Sequence, residues 1–346
     1  MGEKPTYRAG IIGCGRIAST IEDAVRKAPG FGLFPYTHAG AYQRHPQTEL
    51  VAAADINESA LSAFGERWGV TALYTDYREM LEREQLDIVS IAALSRLHCE
   101  MTLEVAKHPV KGIFLEKPVA HTLDEADEMI AACQSAGIKV AVNHTRTFDP
   151  YYRAAKALID TGEIGKVRTV IASCAEGFSF GGSHLFDLLR YMIGAKTDWV
   201  VCYLEEDQSL IDPCGDALIV YENGVRVHVY NARSGGKLFS AFDFIGTEGR
   251  IRMGRYDFRW WQAQRTDGWL IAVERPFPGR HDGKSGMYTA VEELIHAMET
   301  GGETASNLED GRTALEITVA LLMSGQRGEV VKLPITDTSF VAEAMW

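Results

Sequence analysis

The chain has no apolar run approaching the roughly 18 residues that a membrane-crossing helix needs. Its opening residues, MGEKPTYRAG, contain no apolar core of a secretory signal. A cytoplasmic location and no membrane partner are the expectations. Basic clusters are missing as well: 35 Lys and Arg against 47 Asp and Glu leave a net charge of −12. Binding of nucleic-acid phosphates needs clustered cations, so no nucleic-acid partner is expected. The six cysteines, Cys14, Cys99, Cys133, Cys174, Cys202 and Cys214, include no CxxC pair. Neither a metal cluster nor a disulfide framework is expected, and reduced thiols fit best. There is no internal repeat and no low-complexity segment.

What is present is an ordinary globular composition, 46% hydrophobic and 24% charged over 346 residues, long enough for two domains. In the first part, apolar strand-like runs alternate with helical ones. Strand-like YRAGII, TELVAAADIN, DIVSIAAL, KGIFLEKP and IKVAVNH are separated by LSAFGERWGV, YREMLEREQL, HCEMTLEVAKH and TLDEADEMIAACQSAG. Strands that are apolar throughout and alternate with helices imply a parallel sheet covered on both faces. Near Thr145 the pattern changes. A helix, DPYYRAAKALIDTGEIG, is followed by strand-like stretches with turn signals, among them an Asn223-Gly224 pair between alternating runs, a strong hairpin signal. The expected fold is α/β: a doubly wound parallel sheet over residues 1–144, then an α/β domain with a mainly antiparallel open sheet over 145–346.

Gly13-Cys14-Gly15-Arg16-Ile17-Ala18 fits G-x-G-x-x-G/A after a strand and at a helix start. The first glycine makes the tight turn, the second admits a pyrophosphate, and the small last residue lets helix approach sheet. Asp55 ends the second strand, where an acid accepts hydrogen bonds from the ribose hydroxyls of NAD and repels the extra phosphate of NADP. NAD rather than NADP is the expected cofactor. Asp55 lies 40 residues beyond Gly15, about twice the usual ~20. The intervening APGFGLFPYTHAGAY therefore reads as an insertion, overhanging the active site or serving an oligomer contact.

Lys117 follows the GIFLE strand, where ligands of a doubly wound sheet bind. Pro118 fixes the chain direction after it, and Glu116 touches the cofactor or orients the lysine. A lysine bonded to a substrate hydroxyl relays its proton when burial lowers its pKa. In GFSFGGSHLFDLLRYMIG, a Ser183 N-cap puts His184 on the first turn of a helix, where the positive helix end disfavours imidazolium. Asp187 shares its face.

These pieces resemble the glucose–fructose oxidoreductase / inositol dehydrogenase / rhizopine catabolism (Gfo/Idh/MocA) family along nearly the whole chain. They include GIIGCGRIA, ELVAAADIN, EKPVAHT, RTFDPYYRAAKALIDTGEIGKV, GGSHLFDLLRYMIG and FIGTEGRI. The resemblance implies a Rossmann domain, an open-sheet domain that commonly forms the oligomer interface, and NAD(P)-linked redox chemistry on sugars or cyclitols. Its EKP lysine falls on Lys117, its usual proton-relay residue. Its D-x-G-x-H-x-x-D signature falls on Phe180 to Asp187, with Phe180 where the family carries its first aspartate. Glu176 and Asp187 are the candidates to compensate, and Phe180 makes that corner apolar.

The expected function is NAD-dependent hydride transfer at a secondary hydroxyl of a sugar, glycoside or cyclitol. The alternatives are an NAD-retaining glycoside hydrolase working by transient sugar oxidation and elimination, and a nucleotide-sensing regulator. The catalytic candidates are Lys117 and His184. The cofactor candidates are Gly13, Cys14, Gly15, Arg16, Ile17, Ala18, Asp55, Asn57, Leu94, His98, Glu116 and Lys117. The substrate candidates are Lys117, Arg146, Phe180, His184 and Asp187. Tyr151, Trp260, His281 and Tyr288 are weaker contacts, and Trp260, Trp261 and Trp269 are candidates for a carbohydrate pocket. No metal is expected, and a homodimer or homotetramer is.

Overall fold

The computed structural model describes residues 6–27, 33–174, 176–205, 212–231, 241–254, 257–279 and 283–343. Six strands, β1 (Tyr7–Ile12), β2 (Thr48–Ala54), β3 (Ala72–Tyr74), β4 (Ile88–Ile91), β5 (Gly112–Leu115) and β6 (Lys139–Val142), form a sheet in the order β3-β2-β1-β4-β5-β6. Every neighbouring pair is parallel. Between the strands run α1 (Ile21–Val25), α2 (His38–Arg44), α3 (Glu58–Trp68), α4 (Tyr77–Arg83), α5 (His98–Val105) and α6 (Leu123–Ala136). β4 and β5 are buried at every position, as their unbroken apolar runs require when both faces are covered.

Local chemistry fixes the helix ends. Asn57 caps α3 and Asp76 caps α4. Thr122 and Glu125 form a reciprocal capping box on α6, an arrangement that stabilises a helix start by about 1 kcal/mol. Gly69 and Gly137 close α3 and α6 in the left-handed conformation.

The remaining elements are α7 (Thr145–Phe148), α8 (Pro150–Asp160), β7 (Val167–Cys174), α9 (Gly181–Ile193), β8 (Thr197–Leu204), β9 (Gly215–Tyr221), β10 (Arg226–Asn231), β11 (Ala241–Gly246), β12 (Gly249–Gly254), β13 (Phe258–Thr266), β14 (Trp269–Arg275), α10 (Gly286–Thr300), α11 (Leu308–Arg327) and β15 (Val331–Lys332). Their nine strands form one sheet, β14-β13-β12-β11-β7-β10-β9-β8-β15. It is antiparallel except for β7 beside β10. The β9–β10 hairpin turns where the Asn-Gly pair predicts it: Gly224 has φ 82° and its N–H donates to Tyr221 O at 2.8 Å.

Two compact units result. One comprises Met1–Asp149 with Asp282–Arg312, the other Pro150–His281 with Thr313–Met345. A single cut at 144/145 leaves out what the chain does afterwards, since α10 returns to the first unit and packs on β5 and β6. Gly112 makes this possible, because a Cβ there would stand 2.6 Å from Met298 Sδ. Met287, Ala290, Val291, Leu294 and Ile295 of α10 join the first unit's core.

Candidate functional site

The strand order reverses between β1 and β4, so a crevice opens at their carboxyl ends. The chain places several predicted residues along that edge, the glycine turn after β1, Asp55 after β2, Leu94 after β4 and Lys117 after β5, and adds Asn143 after β6, which was not predicted.

Gly13 has φ +94°, and a Cβ on it would lie 2.7 Å from the carbonyl carbon and oxygen of Ala92, so no other residue fits the turn. Gly15 has an extended backbone (φ −72°, ψ −165°), and a Cβ there would meet nothing within 4 Å. The space beside it is open to a ligand. A π-helical turn, Arg16–Thr20, follows and runs into α1. Ala18 is fully buried under it, while Arg16 is exposed and Ile17 half-buried.

The Cys14 thiol is buried, and burial followed by the Asp55 charge pushes its pKa up to about 12, which leaves it unreactive. Its backbone N–H donates to Asp55 Oδ2 at 2.7 Å, and the Asn57 N–H donates to Asp55 Oδ1 at 2.8 Å. A carboxylate has about four lone-pair sites, so acceptor capacity remains for two hydroxyls. The open cradle at Gly15 and this fixed acid fit a dinucleotide: Gly13 to Ala18 would hold the pyrophosphate and Asp55 the ribose.

Asn57 is drawn elsewhere, because its side-chain oxygen accepts the N–H groups of Ser59 and Ala60 and caps α3. Leu94, 42% exposed, leaves an apolar surface at the crevice. His98 is fully buried. Its Nδ1 lies 2.9 Å from Pro118 O and its Nε2 3.2 Å from Ala93 O. Both nitrogens therefore face backbone, and His98 braces the loops after β4 and β5.

Lys117 is half-buried, precedes a cis peptide bond to Pro118, and donates its backbone N–H to Glu116 Oε2 at 3.3 Å. Glu116 is buried, with its Oε1 2.9 Å from His38 Nε2 and bonded by the Asn143 amide. Burial pushes its carboxyl pKa up. The His38 hydrogen bond, the Lys117 charge and the Asn143 amide outweigh that and hold it below the usual glutamate value. Arg146 lies on α7, half-buried, in the same unit.

In the second unit α9 begins at Gly181, three residues before the start that a Ser183 cap predicts. Ser183 is not its cap: Phe180 holds the cap position and Ser183 Oγ donates to Phe180 O at 3.0 Å. His184 is half-buried and still on the first turn. The lead into the helix is held by a residue the sequence reading missed. Asp212, buried, accepts the N–H groups of Ser179 at 2.9 Å and Phe180 at 2.8 Å. Its carboxyl carbon would lie 2.0 Å from a Cβ on Gly177, so glycine is required there. Asp187 is fully buried and its Oδ1 accepts from Arg190 at 3.1 Å. Glu176 Oε2 stands 2.9 Å from where a Cβ on Gly181 would be, beside Phe180.

The aromatic candidates are mostly packing residues. Trp260 is buried and donates to Pro276 O, Tyr151 packs on Phe258 and Phe277, and Tyr288 packs on His45. The Arg250 and Arg259 guanidinium groups lie 5.7 and 4.9 Å from the Trp261 ring centroid, and Trp269 is 76% exposed. His281 is outside the described residues. Among the described residues no group of three His, Cys, Asp or Glu could hold a metal ion, and no helix is long and apolar enough to cross a membrane.

A doubly wound sheet with this glycine turn, acid and strand-end lysine defines a dinucleotide-dependent oxidoreductase. Residues 29–144 match the GFO_IDH_MocA model, described as an oxidoreductase family with an NAD-binding Rossmann fold. It is 26% identical to D-apiose dehydrogenase of Paraburkholderia graminis over 88% of each chain. It is 25% identical to inositol 2-dehydrogenase of Rhizobium meliloti over 92% of this chain and 97% of the other. Its fold matches the crystal structure of myo-inositol 2-dehydrogenase from Lactobacillus plantarum with a TM-score of 0.74, at 23% identity, over 95% and 99% of the two chains.

Proposed function

We propose that this protein is an NAD-dependent dehydrogenase that oxidises a secondary hydroxyl of a sugar, glycoside or cyclitol to the ketone. One observation carries the reading: Lys117 stands at the same sheet edge as the open cradle at Gly15, with only β4 between their strands. NAD, when bound, supplies the hydride acceptor. Lys117 bonds the substrate hydroxyl through Nζ and takes its proton as the C–H bond breaks. Glu116 keeps a negative charge beside the lysine, Asp55 holds the ribose, and Leu94 offers apolar contact that keeps water out. His184 is the proposed helper in handling the proton, and Arg146 and Phe180 are proposed substrate contacts. The names of the relatives support the substrate class, since they act on apiose and inositols.

A second reading rests on Phe180, an apolar side chain in a signature where the resemblance implies an acid. In it the protein keeps its NAD, oxidises a glycoside transiently, eliminates the aglycone and returns the hydride. Incubation with NAD and a panel of inositols, aldoses and glycosides, with products identified by NMR, tests both. A ketone formed with stoichiometric NADH supports the dehydrogenase. A split glycoside without net NADH supports the second reading and overturns the first. A His184→Ala protein tests the helper role separately.

A further inference from the structure

We propose that His38 is a positioning residue for Lys117: it fixes the Glu116 carboxylate beside the lysine and so sets the pH at which Lys117 can accept a proton. The inference rests on the reading of Lys117 as the proton-handling residue.

His38 comes from the stretch that reads in sequence as an insertion, overhanging the active site or serving an oligomer contact. The part of it that is described belongs to the core instead. His38 to Tyr42 of α2 are buried, and Tyr36 N and the Pro35 carbonyl are tied down by Glu22 and Ser285. His38 is fully buried against Phe114, with ring centroids 4.3 Å apart. Its Nδ1 lies 2.9 Å from Ser90 Oγ, its Nε2 2.9 Å from Glu116 Oε1, and Tyr42 OH lies 2.7 Å from Ser90 Oγ.

The protons in this chain can be counted. Burial pushes the Tyr42 phenol up, with the Ser90 bond opposing it, so the phenol keeps its proton. Tyr42 therefore donates to Ser90 Oγ, Ser90 donates to His38 Nδ1, and His38 Nε2 carries the hydrogen that goes to Glu116. This tautomer is assigned from the network, and an imidazolium would also present Nε2–H to Glu116. A chain of hydrogen bonds from α2 and β4 thus ends on one carboxylate whose chain neighbour is Lys117.

An ionised carboxylate stabilises a neighbouring ammonium. Without the His38 donor, the buried Glu116 carboxyl protonates more readily, its charge fades, and Lys117 becomes a free amine at lower pH. His98 approaches from α5 with its ring on Pro118 O and Ala93 O, and His121 lies behind it, bonded to Ser95 Oγ at 2.8 Å. Asn143 is uncharged, and His144 beside it faces Ser306 Oγ at 2.9 Å.

The test is trace acetylation of the whole protein with acetic anhydride from pH 6 to 11, without substrate, with labelling at each lysine read by mass spectrometry. In His38→Leu the midpoint for Lys117 is expected to fall by about one pH unit, while Lys107 and Lys139 stay unchanged. His38→Gln, whose amide still donates to Glu116, is expected to stay near wild type. Should His38→Leu fail to fold, Glu116→Gln is expected to lower the midpoint likewise. A Lys117 midpoint that does not move in the folded His38→Leu protein, or in Glu116→Gln, overturns the proposal. Turnover by Lys117→Met judges the underlying reading independently, because labelling needs no catalysis.

Discussion

The backbone amide of Cys14 donates to Asp55 Oδ2 at 2.7 Å, tying the glycine turn after β1 to the acid after β2. The acid is fixed before any ligand arrives, so its cost of ordering on binding is small. Asp55→Ala removes both the ribose acceptor and the charge that repels a 2′-phosphate. Affinity for NAD, read by calorimetry, is expected to fall about 10- to 100-fold, or about 1.4–2.8 kcal/mol, and the preference over NADP to narrow. Unchanged NAD affinity would show that Asp55 serves only the turn.

The two glycines of the turn are expected to behave differently. Gly13→Ala forces a side chain into φ +94° and against Ala92, and should cost about 2–5 kcal/mol of stability by urea unfolding. Gly15→Ala meets nothing, so stability should stay within about 0.5 kcal/mol while NAD binding weakens. Equal stability losses would contradict this division of roles.

Much of this was legible in the sequence because periodicity and turn chemistry are local. The buried strands, the glycine turn, Asp55 at a strand end and the Asn-Gly hairpin all follow from short stretches. What was not legible depends on long-range packing. The histidine of THAGAY pairs with a glutamate 78 positions on, and nothing local distinguishes it from a loop residue. Asp212 caps a turn 32 and 33 positions earlier. The α10 helix carries an apolar face that fits either unit on sequence alone, and Gly112 decides for the first. Ser183 matched an N-cap by type, yet the Asp212 carboxylate holds the preceding turn and the helix starts earlier.

Stability at mildly acid pH should carry the signature of His98. Two carbonyl acceptors favour its doubly protonated ring, but complete burial outweighs them and holds its pKa below the ordinary value of 6.5. The unfolded chain therefore takes up a proton near pH 6.5 that the folded chain refuses, so His98 subtracts stability as pH falls from there toward its folded pKa. Glu116 acts at lower pH: its folded pKa lies below 4.5, so its contribution is present above 4.5 and is lost as pH falls through the folded value. Urea unfolding at pH 7.5 and 5.5 should show a His98→Gln protein losing less stability between the two than wild type. An identical loss would place the acid sensitivity elsewhere.

The most direct measurement is the initial rate of NADH formation by wild type and Lys117→Met on the substrate that the panel identifies, with NAD affinity measured alongside. The expected result is a rate lower by about 10²–10⁴-fold, with NAD affinity within a few-fold of wild type. A Lys117→Met protein that forms NADH at the wild-type rate would contradict the account.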